Sequence, residues 1–349
     1  MENAYLPESA VREIAGMVIP VRFTKSTPAS LAQKLLALTL DNFEHYVRPE
    51  NVCLVVDGDE RSRNVAEKVR KSLSTPHRGS PELLYLRENK GKHYAVTEGI
   101  LRLMRNRRLD YFVVRDCDAD HFISDVPNLV RSAYHIAAHE KTDRVLLIGR
   151  RIDRHRPLGF RRAEMEELCN RVLLDAMTYR LAKRQRVLNA QYYAAYGDVP
   201  DFKSGYKVYS RGVARLAFKR NPPFLCLPPN DYWRHGAEPF PIVEAVLGGA
   251  IIGEMNRATF DIQPTTTFTE SSAMNMHVKT LAWAFCRLKI PLKGAGQMFS
   301  NHIPRVLLAD DPTGREQLDA IKRDTLTMYA RHLGQSYRHS PMTGKPRFF

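Results

Sequence analysis

Residues 111 to 125 read YFVVRDCDADHFISD, a short apolar run from Tyr111 to Val114 that stops at three alternating carboxylates, Asp116, Asp118 and Asp120. Carboxylates gathered at the end of a buried strand repel one another and lose hydration, so they are stable only with positive charge among them. A divalent metal carrying a diphosphate meets that need, and Mg2+ or Mn2+ suits an all-oxygen shell completed by phosphates and water. Asp118 and Asp120, assisted by Asp116, are the expected ligands, and the bound ion would act as a Lewis acid on a departing diphosphate. Asp-rich turns also cap helices or stay solvated, so the surrounding elements decide between the readings.

Those elements repeat. GMVIPVRF at 16–23 reads as a strand and Leu31–Tyr46 as a helix. NVCLVVDGD at 51–59 reads as a second strand ending in Asp57 and Asp59, with a helix over Ser62–Leu73. A third unit places a strand at 83–87, a glycine-containing turn at Asn89–Lys92 and a helix through Met104. Strands alternating with helices predict an α/β fold with a mostly parallel central sheet, which binds ligands at the carboxyl ends of its strands. No P-loop, GxGxxG or nucleophile-elbow pattern is present.

In this order and spacing, VIPV, VVDGD, RENKGKHYAVTEGI and DCDAD resemble the nucleotide-sugar half of a GT-A glycosyltransferase of the family-2 kind. Downstream, DFKSGYKVYSR at 201–211 and AEPFPIVEAVLGGAIIGEMNR at 237–257 are similar to segments of the polyprenyl-phosphate sugar transferases. The resemblance implies a nucleotide-diphospho-sugar transferase fold over 1–262, with a nucleotide-sugar half at 14–150 and an acceptor half at 151–262. It implies a nucleoside-diphosphate sugar as donor. Pro20, Arg22 and Asp57 would lie at the base or ribose, Arg87, Lys90 and Lys92 at the diphosphate, and Asp116 and Asp118 at both sugar nucleotide and metal. Ser204, Gly205, Tyr206 and Lys207 would face the acceptor. Glu238 is the first choice for a base acting on the acceptor proton and Asp231 the second. Two departures stand out: Val21-Arg22-Phe23 follows Pro20 where those relatives carry an Asn/Glu turn, and Glu238 is followed by Pro239 instead of a second acid. His277, placed as a third metal ligand by resemblance, also reads as a structural histidine at a helix head, and His235 is comparable.

Composition sets the bounds. A chain of 349 residues, 44% hydrophobic, is long enough for a large α/β domain plus an appendage. Beyond it, 263–333 reads as a helical extension, with a loop over 261–274 and helices over 276–288 and 315–333, and 334–349 as a flexible basic tail. Five scattered cysteines at 53, 117, 169, 226 and 286 fit a reducing compartment. The amino terminus lacks a signal-peptide pattern, and the longest apolar run, Ala245–Gly253, is too short to span a bilayer. A cytoplasmic protein is expected, with peripheral contact to a membrane or nucleic acid.

The net charge of +15 points to a polyanion. RRIDRHRPLGFRR at 150–162 gathers Arg150, Arg151, Arg154, Arg156, Arg161 and Arg162, and the predicted helix 163–195 carries Arg180, Lys183, Arg184 and Arg186. Arg150, Arg151, Arg154 and Arg156 are the expected contacts to a polyanionic acceptor, DNA or lipid phosphate. Tyr192, Tyr193, Tyr196 and Phe202 interleave, as stacking platforms or as core. Two alternatives follow: a glycosyltransferase modifying hydroxylated bases in DNA, and a non-enzymatic basic binding module on a transferase-like shell.

Overall fold

The computed structural model describes residues 5–73, 79–194, 199–259 and 270–340. Tyr196, most of the expected loop (261–269) and the tail beyond 340 lie outside the described residues. In chain order the elements are α1 (Glu8–Ile14), β1 (Ala15–Val21), α2 (Ala29–Thr39), β2 (Val52–Asp57), α3 (Glu60–Leu73), β3 (Glu82–Leu86), α4 (Lys92–Leu103), β4 (Tyr111–Val114), α5 (Asp125–His139) and β5 (Val145–Arg151). There follow α6 (His155–Leu158), α7 (Phe160–Ala182), β6 (Lys207–Ser210), α8 (Arg211–Ala217), α9 (Pro229–His235), α10 (Pro239–Leu247), β7 (Ile251–Arg257), α11 (Glu270–Leu288), α12 (Leu292–His302) and α13 (Pro312–His332).

Seven strands form one sheet in the order β3-β2-β1-β4-β6-β5-β7, with β6 antiparallel to both neighbours and every other pairing parallel. In the register, Met17 faces Val52 on one side and Val113 on the other. Helices cover both faces, so the central strands are apolar up to their carboxyl ends: all of β2 and β4 are buried, β2 closing on Asp57. Alternate residues enter different cores. Met17, Ile19, Leu54 and Val113 pack under α2, α3 and α5, while Val18, Val55, Phe112 and Ile148 pack under α4, α7 and the carboxyl-terminal helices. Edge strand β3 is only half-buried. This is the α/β fold with a mostly parallel central sheet flanked by helices that the sequence predicts, with a helical carboxyl terminus.

Two expected helices are shorter, the one predicted over Leu31–Tyr46 ending already at Thr39. The helix predicted to run to Ala195 stops at Ala182, so Lys183, Arg184 and Arg186 lie beyond it and Arg180 in its last turn. Gln185 adopts φ +55°, the Arg186 N–H donates to Leu181 O at 2.9 Å and the Gln185 N–H to Ala182 O at 2.9 Å. That left-handed cap normally announces itself by glycine; glutamine hides it. At the other end of the chain, α11 begins at Glu270, inside the stretch expected to be loop.

Candidate active site

The carboxyl ends of β1, β2 and β4 meet over the amino end of α4. Two close approaches fix this helix. A Cβ at Gly99 would lie 2.6 Å from Val18 Cγ1, and one at Gly91 would lie 2.6 Å from Arg234 Cα on α9. Gly91 has φ +118°, open only to glycine, so the chain enters α4 pressed between β2 and α9. Asp57 completes the seat: its carboxylate accepts from the Lys90 N–H at 2.9 Å and the Gly91 N–H at 2.6 Å. Burial raises the Asp57 carboxyl, and those two amides with the charges of Arg22 and Arg234 oppose the rise. Asp57 therefore holds the α4 loop, with both oxygens already engaged, instead of standing open at the base or ribose position.

The three aspartates have three different environments. Asp116 Oδ1 lies 2.7 Å from Lys92 Nζ, and the Asp116 N–H donates to His121 Nδ1 at 3.1 Å. His121 stacks on Tyr206 at 4.6 Å and 3°, and burial with the nearby Arg257 and Arg115 charges keeps it neutral, as an accepting Nδ1 requires. Asp120 is buried, its Oδ2 3.9 Å from Arg257 Nη1. Asp118 makes no ion pair among the described residues. Burial and the charges of Asp116 and Asp120 push its carboxyl up to about 6. The turn closes through Ala119 at φ +65°, whose N–H donates to Thr39 Oγ1 at 3.0 Å. Cys117 inside the triplet is a buried thiol pushed up to about 12 by burial and Asp118, so it offers no thiolate donor.

Lys92 joins this turn to α10. Its Nζ also lies 2.8 Å from Glu238 Oε1, at the N-cap of α10. Burial would raise Glu238, but Lys92 and Lys207 outweigh it and hold the carboxyl at about 2. Lys207, buried on β6, is itself lowered to about 7 by burial against the pull of Glu238 and Asp201. Glu238 is thus a firmly ionised, weakly basic carboxylate while Lys92 is in place. Asp231 is paired with Lys279 at 2.8 Å. Beneath Lys92, His93 is buried in a cage of Phe218, Tyr232, Trp233 and Phe240, and burial lowers it to about 3.

The other expected site residues are distributed unevenly. Pro20 stays in β1 opposite Val55, with exposed Arg22 just beyond the strand. Arg87 is exposed, and Lys90 leans over the Tyr94 ring at 5.0 Å. Ser204 and Tyr206 are buried, donating to Gly149 O at 2.7 Å and Phe122 O at 2.9 Å, and buried Lys207 donates to Ser204 O. Gly205 lies against the carboxylate turn, where a Cβ would stand 2.6 Å from Asp116 Oδ2, while Tyr206 reaches the turn through His121 and Lys207 acts on Glu238 through its charge. His277 is not brought to the aspartates. It is buried on α11 with Lys203 and Arg162 depressing its basicity, and among the described residues no three His, Cys, Asp or Glu side chains converge on one metal position. His235 is half-buried, 3.9 Å from Asp231.

The arginine cluster is largely neutralised from within. Arg151 is buried, held by both oxygens of Asp201 at 2.7 Å and by Glu166 at 2.8 Å. Arg154 pairs with Glu167, and Arg162 with Glu166 at 3.1 Å. Only Arg150 and Arg156 of the four expected acceptor contacts are solvent-facing, near Asn256 and Asp153. Phe202 is core, and the Tyr192 hydroxyl donates to Glu140 at 2.5 Å.

No protein-family model matches the chain, and no curated protein matches it in sequence. Among solved structures it is similar to a cytidylyltransferase from Leptospira borgpetersenii serovar Hardjo-bovis, at 11% identity and TM-score 0.35 over 76% of this chain and 85% of that one. It is also similar to S. aureus TarS, at 13% identity and TM-score 0.39 over 95% of this chain and 59% of the TarS chain. No helix among the described residues is long and apolar enough to cross a membrane.

Proposed function

We propose that the chain is a glycosyltransferase that moves a sugar from a nucleoside-diphosphate sugar to a nucleophilic acceptor at the carboxyl end of the sheet. The observation that supports this is the cation bridge Asp116–Lys92–Glu238, 2.7 and 2.8 Å long, with unpaired Asp118 beside it. A donor diphosphate is a strong competitor for Lys92, at a helix amino end where Arg22 and Arg234 add positive charge. As Lys92 turns to the diphosphate, Glu238 loses the partner that suppresses its basicity and becomes a better acceptor for the incoming hydroxyl proton. Donor binding and base activation are thereby coupled through one side chain. Asp118, with Asp116, fits Mg2+ or Mn2+, because its oxygens lack a cation and carry a proton affinity raised by their own neighbours. Such an ion would supply Lewis-acid stabilisation to the leaving diphosphate.

The test is a thermal-shift screen of nucleoside-diphosphate sugars with Mg2+ or Mn2+. At a hundredfold excess over Kd a ligand adds about 2.7 kcal/mol, a rise of several degrees. Asp118→Asn should keep the unliganded melting point and lose the metal-dependent rise. A chain that no nucleotide sugar stabilises with either metal is not this enzyme.

A further inference from the structure

With Arg151, Arg154 and Arg162 of the 150–162 stretch paired internally, much of the excess positive charge resides elsewhere. It gathers at the opposite end of the sheet, where the strands other than β6 begin. The turn before β4 carries Arg105, Arg107 and Arg108, all exposed. Arg211 binds that turn, donating to Leu109 O at 2.7 Å, Met104 O at 3.1 Å and Asn106 O at 2.6 Å, so it joins α8 to it. Leu216 on the same helix abuts Gly248, a Cβ there lying 2.4 Å from Leu216 Cδ1. Arg144 donates to Gly248 O at 2.8 Å, and Arg186 covers Gly249, 2.8 Å from where its Cβ would be. The turns 104–110, 140–144, 183–187 and 248–250 therefore adjoin one another through α8. They hold Arg105, Arg107, Arg108, Lys141, Arg144, Lys183, Arg184, Arg186, Arg211 and Arg215 against Asp110, Glu140 and Asp143. Among the described residues, Arg105, Arg107, Arg108, Arg184, Arg186 and Arg215 make no ion pair.

We infer that this face is a docking surface for the phosphate backbone of nucleic acid, separate from the candidate active site. Eight of the ten cations are arginine, whose planar fork grips phosphate oxygens in pairs. A surface that enters a membrane combines cations with exposed apolar side chains; here Val187 alone is a large exposed hydrophobic, and Leu103, Leu109 and Leu181 point inward. Contacts to phosphate alone give sequence-independent, salt-sensitive binding. The inference does not rest on sugar transfer, because binding is read without turnover.

The experiment is fluorescence anisotropy of the full chain with a labelled duplex DNA of unrelated sequences across a salt series. Wild type should bind with equal affinity to each sequence, and log affinity should fall linearly with log salt. R105S/R107S/R108S should weaken binding at least tenfold and lower the salt slope by about three, at roughly 0.9 per lost phosphate contact. R184S/R186S should lower it by about two, while R150S/R156S, at the other end of the sheet, should change neither. Unchanged melting points show that the variants fold. Failure of wild type to bind duplex, or equal binding by R105S/R107S/R108S, overturns the inference. So does binding to phosphatidylserine vesicles that these substitutions abolish while duplex affinity stays the same.

Discussion

Lys92→Met keeps an unbranched side chain of similar length and removes the charge between Asp116 and Glu238, so it isolates what that cation does. In the wild type Glu238 sits at about 2 against an ordinary 4.5. A carboxyl lowered by that amount contributes roughly 3 kcal/mol, at about 1.4 kcal/mol per pKa unit. Because the folded value is the lower one, this stability is complete above about pH 4.5 and is lost as pH falls through 2. In the variant only Lys207 and Lys203 oppose burial, and Glu238 and Asp116 lose the cation they share. The deficit should therefore be about 3 kcal/mol at pH 7 and shrink towards pH 3, where protonation relieves the variant. Urea unfolding at the two pH values measures it: with a slope of about 3 kcal/mol per molar for a chain this size, the midpoint should drop by about 1 M at pH 7. The same variant should lose donor-induced stabilisation. Equal midpoints at pH 7, or a deficit that does not narrow in acid, would refute the assignment of Lys92 as the charge that holds the site together.

Two further substitutions probe the supports of the site. Arg151→Ala leaves Asp201, at 2% side-chain exposure, without its paired cation and Glu166, at 3%, with Arg162 only, and should cost about 3–5 kcal/mol by chemical denaturation; a loss under 1 kcal/mol would return Arg151 to the solvent-facing cluster. Gly91→Ala forces a side chain at φ +118° to within 2.7 Å of Trp233 O. It should lower the melting temperature and weaken donor-induced stabilisation together, because the same turn carries Lys92; a normal donor response in a destabilised protein would separate the turn from the site.

The parallel half of the fold was legible because its signals are local. Each of β1 to β4 is a short apolar run that ends in polar or charged residues, and the expected boundaries fall within two residues of those found. The carboxyl end of α7 was not, since its left-handed cap is built on Gln185 and the apolar spacing continues past it. Helix α12, between the two carboxyl-terminal helices that were expected, carries Gly294 and Gly296, which lower helix propensity and hide it in the sequence.

The site was legible as a set of residue types and hidden as a set of pairs. The carboxylate triplet at the end of YFVV, the KGK turn and Glu238 all lie at the carboxyl end of the sheet, but Lys92 and Glu238 are 146 residues apart in the chain, and no local pattern links them. The arginines show the same limit from the other side. Counted over 150–162 they call for a polyanion, yet Glu164, Glu166 and Glu167 follow at once on α7, and Asp201 arrives 50 residues later to take Arg151. Charge density along a chain measures a demand for counter-charge; only the fold decides whether the protein meets that demand itself. Where it does, as at Arg151, the result is a buried ion-pair network that ties β5 to α7. Where it does not, as in the turns at 105–108 and 184–186, the unmet charge faces solvent, and net charge becomes an argument about partners.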